Sequence, residues 1–280
     1  MKRVIACIDS SPCINAIAAA AAWVAKQTHR ELVLLQILDY YPASYHLGEI
    51  SGVIGFESNA MLLKELAELE QKQSELAVSY SNNLLQHISQ MIKEQYGLDT
   101  TIIQEKGDFL EQSFSVLTED DFVVLGRVGE RAAGKNKTIG SNVENFIRGA
   151  KCTVMTVGDH FKAPTRFIFA YEYSPTCLKM LHRIPQSDLL RQLQCHLLYV
   201  GDHPDILHEP ETFLRSQGIN VISETRYGDV AENIMDYQRQ HGIQLLLLGA
   251  FSHSKIHQFF LGSITTTIFR NLNVPLIVVK

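Results

Sequence analysis

The sequence predicts an α/β chain folded as two tandem open parallel sheets, and three observations carry that reading. The length of 280 residues is close to twice the roughly 150 of a common domain. Hydrophobic residues make up 46% and charged residues 20%, enough apolar material for two cores, and 17 Gly with 8 Pro are too few for a disordered or fibrous chain. The third observation is an internal repeat.

Five segments recur in the same order. Arg3 to Pro12 (RVIACIDSSP) matches Arg166 to Pro175 (RFIFAYEYSP), each an apolar β-rich run, one acid and then Ser-Pro. Glu31 to Asp39 (ELVLLQILD) matches Gln194 to Asp202 (QCHLLYVGD) at the same offset of 163. GDFLEQSF from Gly107 matches GDVAENIM from Gly228, and FVVLGRVG from Phe122 matches LLLLGAFS from Leu245. The longest pair sets TIGSNVENFIRGAKCTVMTV from Thr138 against FLGSITTTIFRNLNVPLIVV from Phe260. Offsets for these last three are 121 to 123, so the second unit lacks about 40 residues between its second strand and its Gly-Asp.

Each element follows from its local pattern. Short Val/Ile/Leu-rich runs suit strands buried on both faces, and they alternate with longer stretches of helical spacing in the order βαβαβαβαβ. In the first unit the strand at Arg3 precedes an alanine-rich helix, Ile14 to Thr28, and the strand at Glu31 precedes a long helix, Ala60 to Tyr96. Gly107-Asp108 opens the helix Phe109 to Leu117; the fourth strand starts at Phe122, and the last helix spans Ser141 to Arg148. Right-handed crossovers then give an open, Rossmann-like sheet with helices on both faces. The second unit is leaner, its second helical region running only from Asp205 to Gln217. The heptad-like stretch LLKELAELEQKQSELAVSYSNNLLQHISQMI of unit one could serve a coiled-coil partner, but reads better as an amphipathic helix covering its own sheet. GDHFKAPT, Gly158 to Thr165, combines Gly, Pro and charge and divides the chain into units 1–160 and 161–280.

Composition narrows the partners and the compartment. A net charge of −5 and a pI near 6.1 give no basic balance for nucleic acid or anionic membrane, so neither is expected. Cys7, Cys13, Cys152, Cys177 and Cys195 are odd in number and scattered, without C-x-x-C, as reduced thiols of a cytoplasmic protein are. Asp9, Ser10, Ser11, Pro12 and Asn15 break the N-terminal apolar run too early for a secretory signal. Ala16 to Ala25, at ten residues, falls short of the roughly 20 that span a bilayer. The expected location is the cytoplasm.

Chemistry is expected beyond the carboxyl ends of the strands, where open α/β sheets bind ligands. There unit one reads Gly126-Arg-Val-Gly129, ten residues, then Gly140-Ser141; unit two reads Gly249-Ala-Phe-Ser252, nine residues, then Gly262-Ser263. Glycines let backbone N–H groups close on phosphate oxygens, and Gly-Ser at a helix start adds a hydroxyl and the positive end of the dipole. Glu130, Arg131, Lys135 and Lys137 charge the unit-one loop. This is anion capture, and no catalytic triad, Walker loop or nucleophile elbow accompanies it. His253 and His257 at i, i+4 lack a third metal ligand; Glu119 to Asp121 reads as a solvated turn and Cys7 as a core residue. No metal site is expected.

With an acid ending strand one and a final apolar strand, the G-x2-G-x9-G-[S/T] pattern resembles that of the universal stress proteins, here as a tandem of two such domains over nearly the whole chain. The resemblance implies a cytoplasmic, dimer-forming α/β domain that often binds ATP and acts in stress survival. It assigns Asp9 to holding the adenosine moiety, Ile37 to the backbone beside adenine, and Gly126, Gly129, Gly140 and Ser141 to the phosphate loop. Glu172, Val200, Gly249, Ser252, Gly262 and Ser263 are their counterparts in unit two. Both copies depart from the pattern: unit one carries an extra loop residue, while unit two replaces Asp by Glu172 and the second Gly by Ser252.

The expected function is therefore a stress-response module binding ATP or another adenine nucleotide, with Mg alongside it, as a regulatory ligand of a protein partner, with at best slow hydrolysis. The alternative is a scaffold that has lost nucleotide and binds another small molecule or a protein. In single-domain relatives the last strands pair across a dimer, so Thr153 to Val157 and Leu276 to Val279 are expected to pair within this chain as an intramolecular pseudo-dimer. Two such chains could associate further as a homodimer.

Overall fold

The computed structural model describes residues 2–38, 56–127, 141–249 and 274–279. Within the first half of the chain the elements are β1 (Arg3–Cys7), α1 (Ile14–Thr28), β2 (Glu31–Leu38), α2 (Phe56–Tyr96), β3 (Thr100–Lys106), α3 (Phe109–Val116), β4 (Phe122–Gly126), α4 (Ser141–Gly149) and β5 (Thr153–Val157). The second half continues with β6 (Arg166–Ala170), α5 (Pro175–Arg183), β7 (Gln194–Val200) and a 3-10 turn, Pro204–Leu207, leading into α6 (His208–Ser216). It ends with β8 (Val221–Arg226), α7 (Val230–His241), β9 (Leu245–Gly249) and β10 (Leu276–Val279).

The ten strands form one sheet in the order β3-β2-β1-β4-β5-β10-β9-β6-β7-β8. Neighbours within each half are parallel, and each half has the same internal order, which is the repeat written as topology. The halves meet at β5 and β10, which pair antiparallel with Val154 opposite Val278, Met155 opposite Ile277 and Thr156 opposite Leu276. The expected pairing of the two terminal strands is what the structure contains. Because that one ladder is antiparallel, the strands of the two halves run in opposite senses.

Alternation along the strands divides the core between two faces. Val4, Ala6, Phe167 and Phe169 face α1, α5 and the C-terminal part of α2 on one side. Ile5, Cys7, Val123 and Ile168 face α4 and α7 on the other. Most of the buried positions of α1 are alanine, so that helix lies close to its sheet. Gly107 (φ +140°) and Gly228 (φ +102°) adopt backbone conformations that a side chain would strain. Each presents the next residue as a helix cap: Asp108 accepts from the backbone N–H of Leu110 and Glu111, and Asp229 from that of Glu232. The repeated Gly-Asp is thus a helix-start device used twice.

Two expectations change. Asp121 is 2% exposed and forms an ion pair with Arg3, Nη2 donating to Oδ2 at 2.6 Å and Nε to Oδ1 at 3.1 Å. The acidic run is therefore not wholly a solvated turn. Burial works to raise the Asp121 pKa, but the bonds from Arg3 and the Thr118 backbone N–H outweigh it and hold it below the ordinary value. Second, among the described side chains α2 covers the sheet through its C-terminal part, with Leu85, Ile88 and Ile92. Leu69, Leu76 and Tyr80 are 55%, 70% and 63% exposed. Ser81 marks the division: its hydroxyl donates to buried Gln36, and Gln104 Nε2 donates to Ser81 Oγ at 2.8 Å.

Candidate functional site

The carboxyl ends of β1, β2 and β4 lie side by side in the sheet. They carry Asp9 just beyond β1, Ile37 within β2 and Gly126 closing β4, while Ser141 opens α4. At the matching end of the second half, Glu172 follows β6, Val200 closes β7 and Gly249 closes β9. Gly129, Gly140, Ser252, Gly262 and Ser263 lie outside the described residues, as do His253, His257 and the charged loop positions 130–137.

Local chemistry shapes the first cluster. Asp9 is partly exposed, and its Oδ1 accepts the backbone N–H of Ser11 at 3.1 Å, turning the chain toward α1. Ser11 is 3% exposed and its hydroxyl has no hydrogen-bond partner among the described residues. At Cys13 the buried thiol donates to Asp159 Oδ1 at 3.4 Å. A Cβ at Gly126 would stand 3.0 Å from Cys13 Cβ and 3.3 Å from Ile17 Cδ1, so close packing against α1 is by itself a reason for a small residue there. That leaves Asp9, with Oδ2 unbonded among the described residues, as the described side chain of half one best placed to meet a ligand.

Arg127 is the residue that sequence reasoning passed over. It is 8% exposed; its backbone N–H donates to Val157 O at 2.7 Å and its Nη2 to Val274 O at 2.6 Å. A side chain at the start of the phosphate-loop motif thus crosses to the strand approach of the other half. Burial lowers its pKa, against the opposing influence of Cys13 and Asp159; a guanidinium stays charged regardless. The only signal in the sequence was an arginine inside a glycine pair, which does not reveal a partner 147 residues away.

The second cluster differs in kind. Tyr171 takes the position that Ile8 holds in the first unit. It is 4% exposed, its hydroxyl lacks a hydrogen-bond partner among the described residues, and burial pushes its pKa up to about 12. Ser174 caps α5 by accepting the Cys177 N–H at 3.2 Å. Among the described residues no group of His, Cys, Asp and Glu could hold a metal ion, and no helix is long and apolar enough to cross a membrane. Burial pushes the thiols of Cys7 and Cys195 far up, as core cysteines and not nucleophiles.

A doubled open α/β sheet whose strand ends carry a repeated acid and glycine pattern defines a tandem Rossmann-like fold. Residues 202–280 match the family model described as the universal stress protein family. A universal stress protein of Synechocystis sp. is 29% identical over 285 residues, covering 99% of both chains. Among solved structures, a universal stress protein from Archaeoglobus fulgidus superposes with a TM-score of 0.67 at 17% identity, covering 99% of this chain and 96% of that one. A putative universal stress protein from Pseudomonas aeruginosa gives 0.60 at 11% identity, covering 100% and 93%. Over its whole length the chain is thus similar to universal stress proteins, in sequence to the Synechocystis protein and in fold to the Archaeoglobus one.

Proposed function

We propose that this protein binds an adenine nucleotide, ATP foremost, at the carboxyl ends of β1, β2 and β4, as a regulatory ligand in a cytoplasmic stress response. The observation that carries this reading is Asp9, a partly exposed carboxylate at the end of the central strand β1, beside Ile37 on one neighbour and Gly126 on the other. Asp9 would hold the ribose, the Ile37 backbone would meet adenine, and Gly129, Gly140 and Ser141 would receive the phosphates at the start of α4. Magnesium would arrive with the triphosphate, since the described residues offer no group to hold it alone.

The units 1–160 and 161–280 are proposed as the two copies, and the first as the nucleotide site. Glu172 adds a methylene where Asp9 stands, Ser252 replaces a glycine, and Tyr171 brings a hydroxyl where Ile8 is apolar; these favour a different ligand, or none, in the second. The test is release of bound ligand from purified protein by heat, identified by mass spectrometry, followed by ATP titration of the wild type and Asp9→Asn. Asparagine keeps the acceptor for Ser11 while removing the charge. The expected result is adenine nucleotide in the wild type and at least tenfold weaker ATP binding in the variant. No nucleotide, and no binding at millimolar ATP, would leave the scaffold reading in its place. Gly126 is unsuitable for this test because its side-chain variants meet Cys13.

A further inference from the structure

The N-terminal part of α2 is long, and its described apolar side chains Leu69, Leu76 and Tyr80 are exposed. The helix has 41 residues, and the Ser81–Gln36–Gln104 node fixes the point at which it reaches the sheet. Near Lys106, the last residue of β3, it runs past the sheet edge over a groove lined by Ser74, Val78 and Asn82. From Phe56 to Ser79 it extends about 36 Å at 1.5 Å per residue. A helix of that length standing in water is marginal, and its stability comes from burying an apolar face. Such a face is present: Leu69 and Leu76 are exposed and fall seven apart, and the sequence continues the same seam through Leu62, Leu66, Gln73 and Tyr80. This 4-3 spacing is the seam of a two-helix coil, not the wider stripe that covers a sheet.

We propose that this segment pairs with the same segment of a second copy of the chain, as an antiparallel two-helix coil. Charge selects the orientation and the register. With Leu62, Leu69 and Leu76 at d and Leu66, Gln73 and Tyr80 at a, the flanking g positions are Glu65 and Lys72 and the charged e position is Glu70. Parallel pairing sets Glu65 against Glu70 of the other copy, twice. Antiparallel pairing centred on Gln73 and Leu69 brings Lys72 against Lys72 and Glu70 against Glu70. Antiparallel pairing that sets Leu66 against Leu69 instead brings Glu65 to Lys72 at both ends and Glu70 beside Leu63. In that register the overlap runs from Phe56 to Ser79, ahead of Ser81, where α2 meets Gln36 of β2. The two bodies then sit at opposite ends of the coil, because α2 is packed on its own sheet from Ser81 onward. This assembly is independent of nucleotide binding and of the β5–β10 ladder.

The test is the association state of the full chain by sedimentation equilibrium across the micromolar range, at low and high salt. The wild type is expected to dimerise. Leu69→Glu with Leu76→Glu, both at exposed positions, is expected to abolish the dimer while leaving the circular dichroism spectrum and melting temperature of the body unchanged. Glu65→Lys is expected to weaken association about tenfold at low salt, and adding Lys72→Glu to restore it. A wild type that stays monomeric would overturn the proposal, the face then being covered within the chain or by another protein. A dimer indifferent to the double leucine variant would place the interface elsewhere. Tighter association of Glu65→Lys would mean parallel pairing and overturn the register.

Discussion

His196 stands within β7, 2% exposed, with both ring nitrogens engaged. Nε2 lies 3.2 Å from Gln194 Oε1 and Nδ1 2.8 Å from the Tyr237 hydroxyl. An amide oxygen only accepts, so Nε2 carries the proton and Nδ1 accepts from Tyr237. Burial drives the pKa down to about 4; His241 and Arg166 push the same way and Glu224 opposes them. From α7, Tyr237 stacks on His241, and from β8 Arg226 lies over the Tyr237 ring beside Glu224. The folded pKa is thus below the unfolded value near 6.5, and the folded state refuses a proton that the unfolded chain accepts. Stability is full above about pH 6.5 and falls as the pH drops toward 4, by about 2 kcal/mol at pH 5. Urea unfolding of the wild type and His196→Gln across pH 5 to 7.5 checks this; equal slopes for both would refute it. None of this was legible beforehand, because a histidine in a strand-forming run carries no sign of what stands opposite it. The acid at Asp9 and Glu172 and the glycines Gly126 and Gly140 were readable because they have counterparts in the second copy, whereas Arg127 and Tyr171 sit where the copies disagree.

Asp108 and Asp229 show what a repeat reveals about elements. The recurring Gly-Asp marked two helix starts, and the structure gives each aspartate its backbone N–H partners. Asp108→Ala and Asp229→Ala are each expected to cost about 1 kcal/mol, read as separate shifts in the urea midpoint; a neutral result at either would mean that tertiary packing alone sets that helix. Strand order and helix positions were legible for the same reason, since periods of 2 and 3.6 report local geometry directly. The length of α2 was not. Its start lies at Phe56, ahead of the expected Ala60, since no Ser-x-x-Glu box marks the boundary. Its periodicity announces an apolar stripe but cannot say where the sheet beneath it stops: β3 ends at Lys106, after seven residues, and the helix continues.

Across the whole molecule, the β5–β10 ladder turns two five-stranded halves into one sheet and leaves β3 and β8 as its outer edges. Pairing the two terminal strands covers edges that would otherwise template aggregation. Arg127 adds a bond across the same junction, to Val274. Arg127→Met, which keeps most of the apolar volume, is expected to cost about 1–3 kcal/mol by leaving that carbonyl without its charged donor; an unchanged unfolding midpoint would mean that the ladder alone holds the halves. The repeat has no arginine to match it, since Ala250 follows Gly249, so the junction is not symmetric. That asymmetry is open only to a fused chain. A homodimer must carry every substitution twice, so damage to one binding cleft is damage to both. Here the carboxyl strand ends of the two halves lie on opposite rims of one sheet, and each set can change without the other.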